Sequence, residues 1–262
     1  MRSESRITRK KVRLKDPVLI AGLPGIGFVG KMAVDHLVGT TKAEHFATLY
    51  SPHFPNQVLA MKSGALKPFT MKFYAKRLGK RDYVFLRGDL QPITVEGQYE
   101  VSARILSLFG DLGGKDVIAM AGYAVSKAED RRAIYCAGTS KKFNEEMKKA
   151  GATKAFDKII PIVGMAGLLP ALARGYGMRG ACLLVETNGH NIDGHGAKAL
   201  VELLARYTGQ KFDTKLLEKR AAKAEAELTK MEQQARAAQQ APAPAQAVDA
   251  DQTRLDATRY IR

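Results

Sequence analysis

Tryptophan is absent from the 262-residue chain, aromatic residues make up only 7% of it, cysteine occurs twice, and no stretch holds 18 consecutive apolar residues. Each shortage closes off a class of protein. Without an apolar span of membrane length there is no candidate transmembrane helix. The first sixteen residues are charged and have no apolar stretch behind their basic side chains, so they do not read as an export signal. Cys136 and Cys182 each sit inside an apolar run, outside any CxxC spacing, which excludes a disulfide framework or a zinc knuckle and suits a reducing compartment. The expectation is a cytoplasmic protein. No G-x-S-x-G elbow is present, and no Ser/His/Asp or Cys/His set can be assembled by spacing.

What the chain does have is positive charge: 42 Lys and Arg stand against 26 Asp and Glu, for a formal charge of +16. With 45% apolar residues and a mean hydropathy of −0.21, it is neither wholly disordered nor an integral membrane protein. The excess is dispersed, with +5 in residues 1–16, +9 in 17–210 and +2 in 211–262. A nucleic-acid binder more often concentrates its charge on one helix or on an aromatic-studded sheet, so the balance argues against nucleic acid as a partner. The blander reading is a solvated basic surface behind an unfolded basic leader, residues 1–16.

Residues 17–210 read as one α/β core. Val18, Leu19, Ile20 and Ala21 form a β-branched run that meets Gly22, Pro24, Gly25 and Gly27, and a helical stretch with Met32, Leu37 and Val38 follows. Looser strand signals lie around 45–50, 57–62 and 69–75. The runs 83–86, 117–122, 134–136, 159–164 and 181–186 read as buried strands, with helices over 95–109, between the last three runs, and after Asp193. Near-continuous apolar strands separated by helices predict a largely parallel sheet covered on both faces.

The composition changes after Gly209. Residues 213–240 lack Gly and Pro and are rich in Ala, Glu, Lys, Gln and Leu, which predicts a long helix with Asp213 as its cap. Leu217, Ala221, Ala224, Leu228, Met231, Ala235 and Ala238 alternate steps of four and three, a heptad seam. Such a helix, about 40 Å long at 1.5 Å per residue, either pairs as a coiled coil or docks on its own domain. Ala241, Pro242, Ala243 and Pro244 stop it and open a linker, residues 241–262, whose polar course ends at Arg259, Tyr260, Ile261 and Arg262. Extended from 241 to 258, the linker would reach up to about 60 Å.

Gly25, Gly27 and Gly30 satisfy G-x-G-x-x-G between a strand and a helix, a context that can cradle a pyrophosphate. The acidic residue expected about 20 positions on is misplaced, because Glu44 precedes the apolar run 45–50 instead of ending it. The glycines therefore read as a structural turn, and neither a cofactor nor a metal is assigned. His190, Asp193 and His195 lie within six residues, but Asp193 reads as a helix cap. Asp89, Glu96, Glu186 and Thr187 fall at strand-to-helix junctions, where α/β proteins place ligand-binding groups; the plainer role is a local ion pair or cap.

Several segments taken together carry a family resemblance: residues 22–30, Phe54 to Val58, Gly88 to Pro92 with Glu96, Gly97, Tyr99 and Glu100, and Leu183 to Thr187. They look like the archaeal branch of the proteasome assembly chaperone 2 family over about residues 17–210. The resemblance implies a three-layer α/β/α sandwich similar to nucleoside phosphorylases, with a largely parallel or mixed sheet and no established catalysis. It also implies a homo-oligomer that associates with the 20S proteasome. In several members a terminal hydrophobic-Tyr-any sequence enters pockets between α-ring subunits. The present tail has Tyr260 one place earlier than that pattern. The expected function is a non-catalytic chaperone or ATP-independent adaptor whose residues 259–262 bind the α-ring. The rival is a nucleoside- or small-ligand-binding enzyme using Asp89 and Glu186.

Overall fold

The segment Val18–Gly22 is buried along its whole length because its side chains alternate between two apolar layers, Val18 and Ile20 in one, Leu19 and Ala21 in the other. Its neighbours repeat the pattern. Tyr83 and Phe85 oppose Val84 and Leu86, and Ile118 and Met120 oppose Val117 and Ala119. Strands with both faces in apolar layers belong in the middle of a sheet covered on each side.

The structure is a computed structural model that describes residues 4–129, 131–152, 156, 159–189, 192–217, 219, 222, 223 and 226. Among these, the strands are β1 (Arg6–Arg9), β2 (Val18–Gly22), β3 (Glu44–Tyr50), β4 (Val58–Ala60), β5 (Leu66–Pro68), β6 (Met71–Leu78), β7 (Arg81–Gly88), β8 (Asp116–Ala124), β9 (Ile134–Gly138) and β10 (Arg179–Thr187). The helices are α1 (Val29–Thr41), α2 (Val95–Asp111), α3 (Lys141–Lys149), α4 (Met165–Ala173) and α5 (Gly194–Thr208). Eight strands form one sheet in the order β1-β3-β6-β7-β2-β8-β10-β9, and β4 pairs with β5 in a separate hairpin. The central strands β7, β2, β8 and β10 are mutually parallel, while the outer pairs are antiparallel. Val34 of α1, Phe143 of α3 and Leu200 of α5 pack on one face. Ile105 of α2 and Leu169 of α4 pack on the other. This is the expected three-layer sandwich, with a mixed sheet.

The sheet is parallel at its centre and antiparallel at its edges, within the largely parallel or mixed arrangement expected. Two expectations need correction. Residues 6–9 are not an unfolded leader: they form β1, an edge strand whose Arg6 pairs with Tyr50 and Arg9 with Ala47. Residues 159–164 are not a strand. The outer place beside β10 is taken by β9, and Pro161 removes a donor that a ladder needs. Ile159 and Val163 remain fully or nearly exposed.

Residues 215–217, 219, 222, 223 and 226 are helical, and Asp213 Oδ1 accepts from the Lys215 amide at 3.0 Å, a local capping bond. Leu217, the first seam residue, is buried in the apolar layer of α1 and α5. The rest of the heptad seam, the linker and the tail lie outside the described residues. The chain divides into two units, residues 1–225 and 226–262.

Candidate functional site

The carboxyl ends of β2, β7, β8 and β10 converge on one sheet edge, where the glycine turn runs. Most of its glycines are consumed by packing. A Cβ on Gly22 would stand 2.1 Å from the Gly30 carbonyl oxygen, and one on Gly30 would stand 2.0 Å from that of Met120, so α1 rests on the backbone of β8. Gly27 adopts φ +61, where an L side chain is strained, and a Cβ there would come 2.8 Å from Thr187 Oγ1. Gly25 differs: its backbone is extended at φ −171, and a Cβ would meet nothing nearer than Gln91 Nε2 at 4.0 Å. A dinucleotide fingerprint also needs the next strand of the βαβ unit alongside β2. Here β7 and β8 flank β2, and β3, which starts at the exposed Glu44, lies two strands further out beyond β6 and β7.

Asp89 and Glu186 each have a local structural task. Asp89 Oδ2 accepts from the Thr70 amide at 3.0 Å and from its hydroxyl at 3.2 Å, and Lys67 Nζ approaches Oδ1 at 3.4 Å. This ties the end of β7 to the start of β6. Glu186 accepts from the Tyr135 hydroxyl at 3.0 Å. Two strands separate β7 from β10, so Asp89 and Glu186 are about 14 Å apart at 4.8 Å per strand. They are not brought together as an acid and base pair. Glu96 is exposed in the first turn of α2, which is capped by Thr94 accepting from Gly97 at 3.1 Å. Gly97 and Gly88 are packing positions, since a Cβ would lie 2.5 Å from His53 on the first and 2.9 Å from Leu23 on the second.

Asp193 caps α5, accepting from Gly196 at 2.8 Å, and pairs with Arg132 at 3.3 Å. His190 lies outside the described residues. Among the described residues, no three His, Cys, Asp or Glu side chains gather as a metal site. Burial pushes the Cys136 thiol up to about 11 and the Cys182 thiol up to about 12, so neither is a thiolate at neutral pH.

Between the glycine turn and α4 lies a cavity of about 300 Å³, floored by the end of β8 and walled by Leu23, Ile26, Ile160, Ile162 and Met165. The polar side chains lining it are Gln91 and Tyr123. Gln91 clamps its rim, donating to the Pro24 carbonyl at 2.6 Å and accepting from the Met165 amide at 3.0 Å. Such a lining can enclose an apolar group, and among the described residues it holds no carboxylate, imidazole or amine. From sequence alone Gln91 falls within a motif that does not announce this role, and residues 159–164 read as a strand. The signal available was Pro161 inside that run. Around the same edge stand Ile26, Phe28, Val58, Leu66, Ile93, Val95 and Tyr99, all large, apolar and exposed. The tail residues Arg259, Tyr260, Ile261 and Arg262 lie outside the described residues.

Comparison with known proteins gives a consistent result. The profile of the PAC2 family matches residues 19–232. The protein MJ1210 of Methanocaldococcus jannaschii is 36% identical over 220 residues, which cover 82% of this chain and 84% of that one. The crystal structure of Pyrococcus furiosus PbaB, an archaeal proteasome activator, superposes with a TM-score of 0.80 at 33% identity, covering 88% of this chain and all of that one. Pyrococcus furiosus PbaA, an archaeal homologue of a proteasome-assembly chaperone, gives a TM-score of 0.73 at 25% identity over 90% and 99% of the two chains.

Proposed function

The chain belongs to the PAC2 family, and on that footing we propose that it is a non-catalytic, ATP-independent proteasome-associated chaperone or adaptor that binds the 20S α-ring through its C-terminal tail. The observation that carries this reading is the likeness, along the whole of the Pyrococcus chain, to a protein described as a proteasome activator. The site supports it from the other side. Asp89 and Glu186 are engaged in local bonds, and the cavity at the strand ends is apolar.

The body serves as a platform and the tail does the recognising. Tyr260 supplies an aromatic anchor and Ile261 an apolar neighbour. The apolar side chains at the strand-end edge suit a homo-oligomer interface, since exposed patches of this kind mark association surfaces. Several tails presented by one oligomer then bind at high effective concentration even if each is weak alone.

The test is capture of the α-ring by the full chain and by a chain ending at Ala257. Strong capture by the first and loss with the second is expected. Equal capture removes the docking role of the tail, and no capture by either removes the proteasome association itself.

A further inference from the structure

Three alanines make the floor of the cavity at the strand ends. Ala21 of β2 and Ala119 of β8 are register partners, and Ala121 lies two residues further along β8, on the same face and opposite Leu184 of β10. Two residues earlier on that face the same strands carry Leu19 and Val117, both fully buried. Large aliphatic side chains therefore pack on this side of the sheet, and small ones at its carboxyl edge cost stability by leaving a cavity between the layers. Collapse of that cavity is opposed by Gln91, which bonds to the Pro24 carbonyl at 2.6 Å on the glycine turn and to the Met165 amide at 3.0 Å at the start of α4.

The chemistry of the lining selects its ligand. Among the described residues it has no charged side chain, so an ion placed there would lose water without compensation. The methyl groups of Ala21, Ala119 and Ala121 rise from adjacent strands of one sheet and form a flat floor, the shape on which a planar ring lies. Tyr123, two residues beyond Ala121, lines the cavity at the outer end of β8 and is half-buried. Its ring sits edge-on to Tyr135 at 5.2 Å and to Phe156 at 6.0 Å between centroids, while Tyr135 and Phe156 stack at 4.8 Å, so packing fixes its position. The Tyr135 hydroxyl donates to Glu186, whereas the Tyr123 hydroxyl is bonded to no protein group among the described residues. One polar group on an otherwise apolar wall is the arrangement that orients a small ligand.

We propose that this cavity binds a neutral aromatic molecule of one or two rings carrying a hydroxyl, with the rings on the alanine floor and the hydroxyl bonded to Tyr123. Its volume of about 300 Å³ lies at the small end of ligand sites. The site belongs to the body of the protein and works independently of the C-terminal tail.

The test is titration of the full-length protein with 2-naphthol, followed by the fluorescence of the probe, which no tryptophan obscures because the chain has none. Saturable binding of one molecule per chain is expected, with 2-methylnaphthalene held in the same place about fivefold more weakly for want of the hydrogen bond. Tyr123→Phe keeps the ring and removes the hydroxyl. It should weaken 2-naphthol by about fivefold and leave 2-methylnaphthalene unchanged. Ala119→Leu fills the floor and should weaken both by about tenfold or more, with a melting temperature no lower than the parent's because the added side chain occupies the cavity. Adenosine should not displace 2-naphthol, since its ribose hydroxyls would leave water for an apolar lining. The absence of saturable binding would overturn the proposal, as would a 2-naphthol affinity unchanged by either substitution, or displacement by adenosine at equal affinity.

Discussion

Arg179 of β10 grips Asp116 of the adjacent β8 with two parallel hydrogen bonds, Nε to Oδ1 at 2.8 Å and Nη2 to Oδ2 at 2.9 Å, and Arg81 of β7 reaches the same carboxylate at 3.0 Å. Asp116 is only 2% exposed. Burial alone would raise its pKa, but the bonds from Arg179 and Arg81 outweigh burial and hold it below the ordinary carboxylate range. A depressed folded value means that the contribution to stability is present above the unfolded pKa, about 3.9. It is lost as pH falls through the lower folded value. Asp116→Asn should therefore cost about 2 kcal/mol near neutral pH, less than a fully buried pair because Arg179 is partly solvated. Urea unfolding at a series of pH values checks this. The gap between variant and parent should close in acid; a gap that stays constant to the lowest pH would remove the linkage.

The glycine turn offers a sharper contrast within one motif. Gly30→Ala places a methyl 2.0 Å from the Met120 carbonyl oxygen, so α1 must lift from β8 at a cost of about 3 kcal/mol. Gly25→Ala meets open space on an extended backbone and should change stability by less than about 0.5 kcal/mol. Thermal unfolding of the two variants decides between a packing turn and a turn whose glycines all serve one shared purpose. Comparable destabilisation in both would contradict the packing account.

Much of this fold was legible because its central strands carry their own signal. The apolar runs of β2, β7, β8 and β10 are buried on both faces, and Asp193 stands where a cap belongs. The failures have physical causes. In β1, Arg6, Thr8 and Arg9 have no strand signature, and the segment becomes a strand only by pairing with β3 some forty residues away. The apolar run at residues 159–164 looks like a buried strand until β9 is found in the place it would need. The tasks of Asp89 and Glu186 depend on Thr70 and Tyr135, 19 and 51 residues distant, which no local spacing announces.

The strand-end edge gives the next prediction. Ile93 and Val95 are 67% and 68% exposed beside the start of α2, with Leu66 of β5 at 71%. If this edge joins subunits, Ile93→Asp combined with Val95→Asp places two carboxylates in the interface and should release smaller species. Light scattering coupled to size exclusion reports the mass, and circular dichroism confirms that the body remains folded, since neither side chain is part of the core. An unaltered mass would move the interface away from this edge.

The basic leader supplies the last test, because β1 covers an edge that would otherwise be open. Thr8 stands opposite Thr48, Ile7 packs against the layer of α2 and α4, and the Lys10 amide bonds to the Phe46 carbonyl at 2.8 Å. Ser5 is buried, its amide donating to Glu100 Oε1 at 3.0 Å and its hydroxyl to Oε2. Removing residues 1–10 strips the outer ladder from β3 and bares its hydrogen-bonding groups, and the arginines that guard the edge against other strands go with it. The shortened chain should lose about 2 kcal/mol of stability and aggregate as its concentration rises. Glu100→Ala, which frees Ser5 but keeps β1, should lose about 1 kcal/mol and stay soluble. Chemical denaturation and turbidity separate the two effects. A shortened chain that keeps both its stability and its solubility would mean that β1 contributes nothing to holding the sheet together.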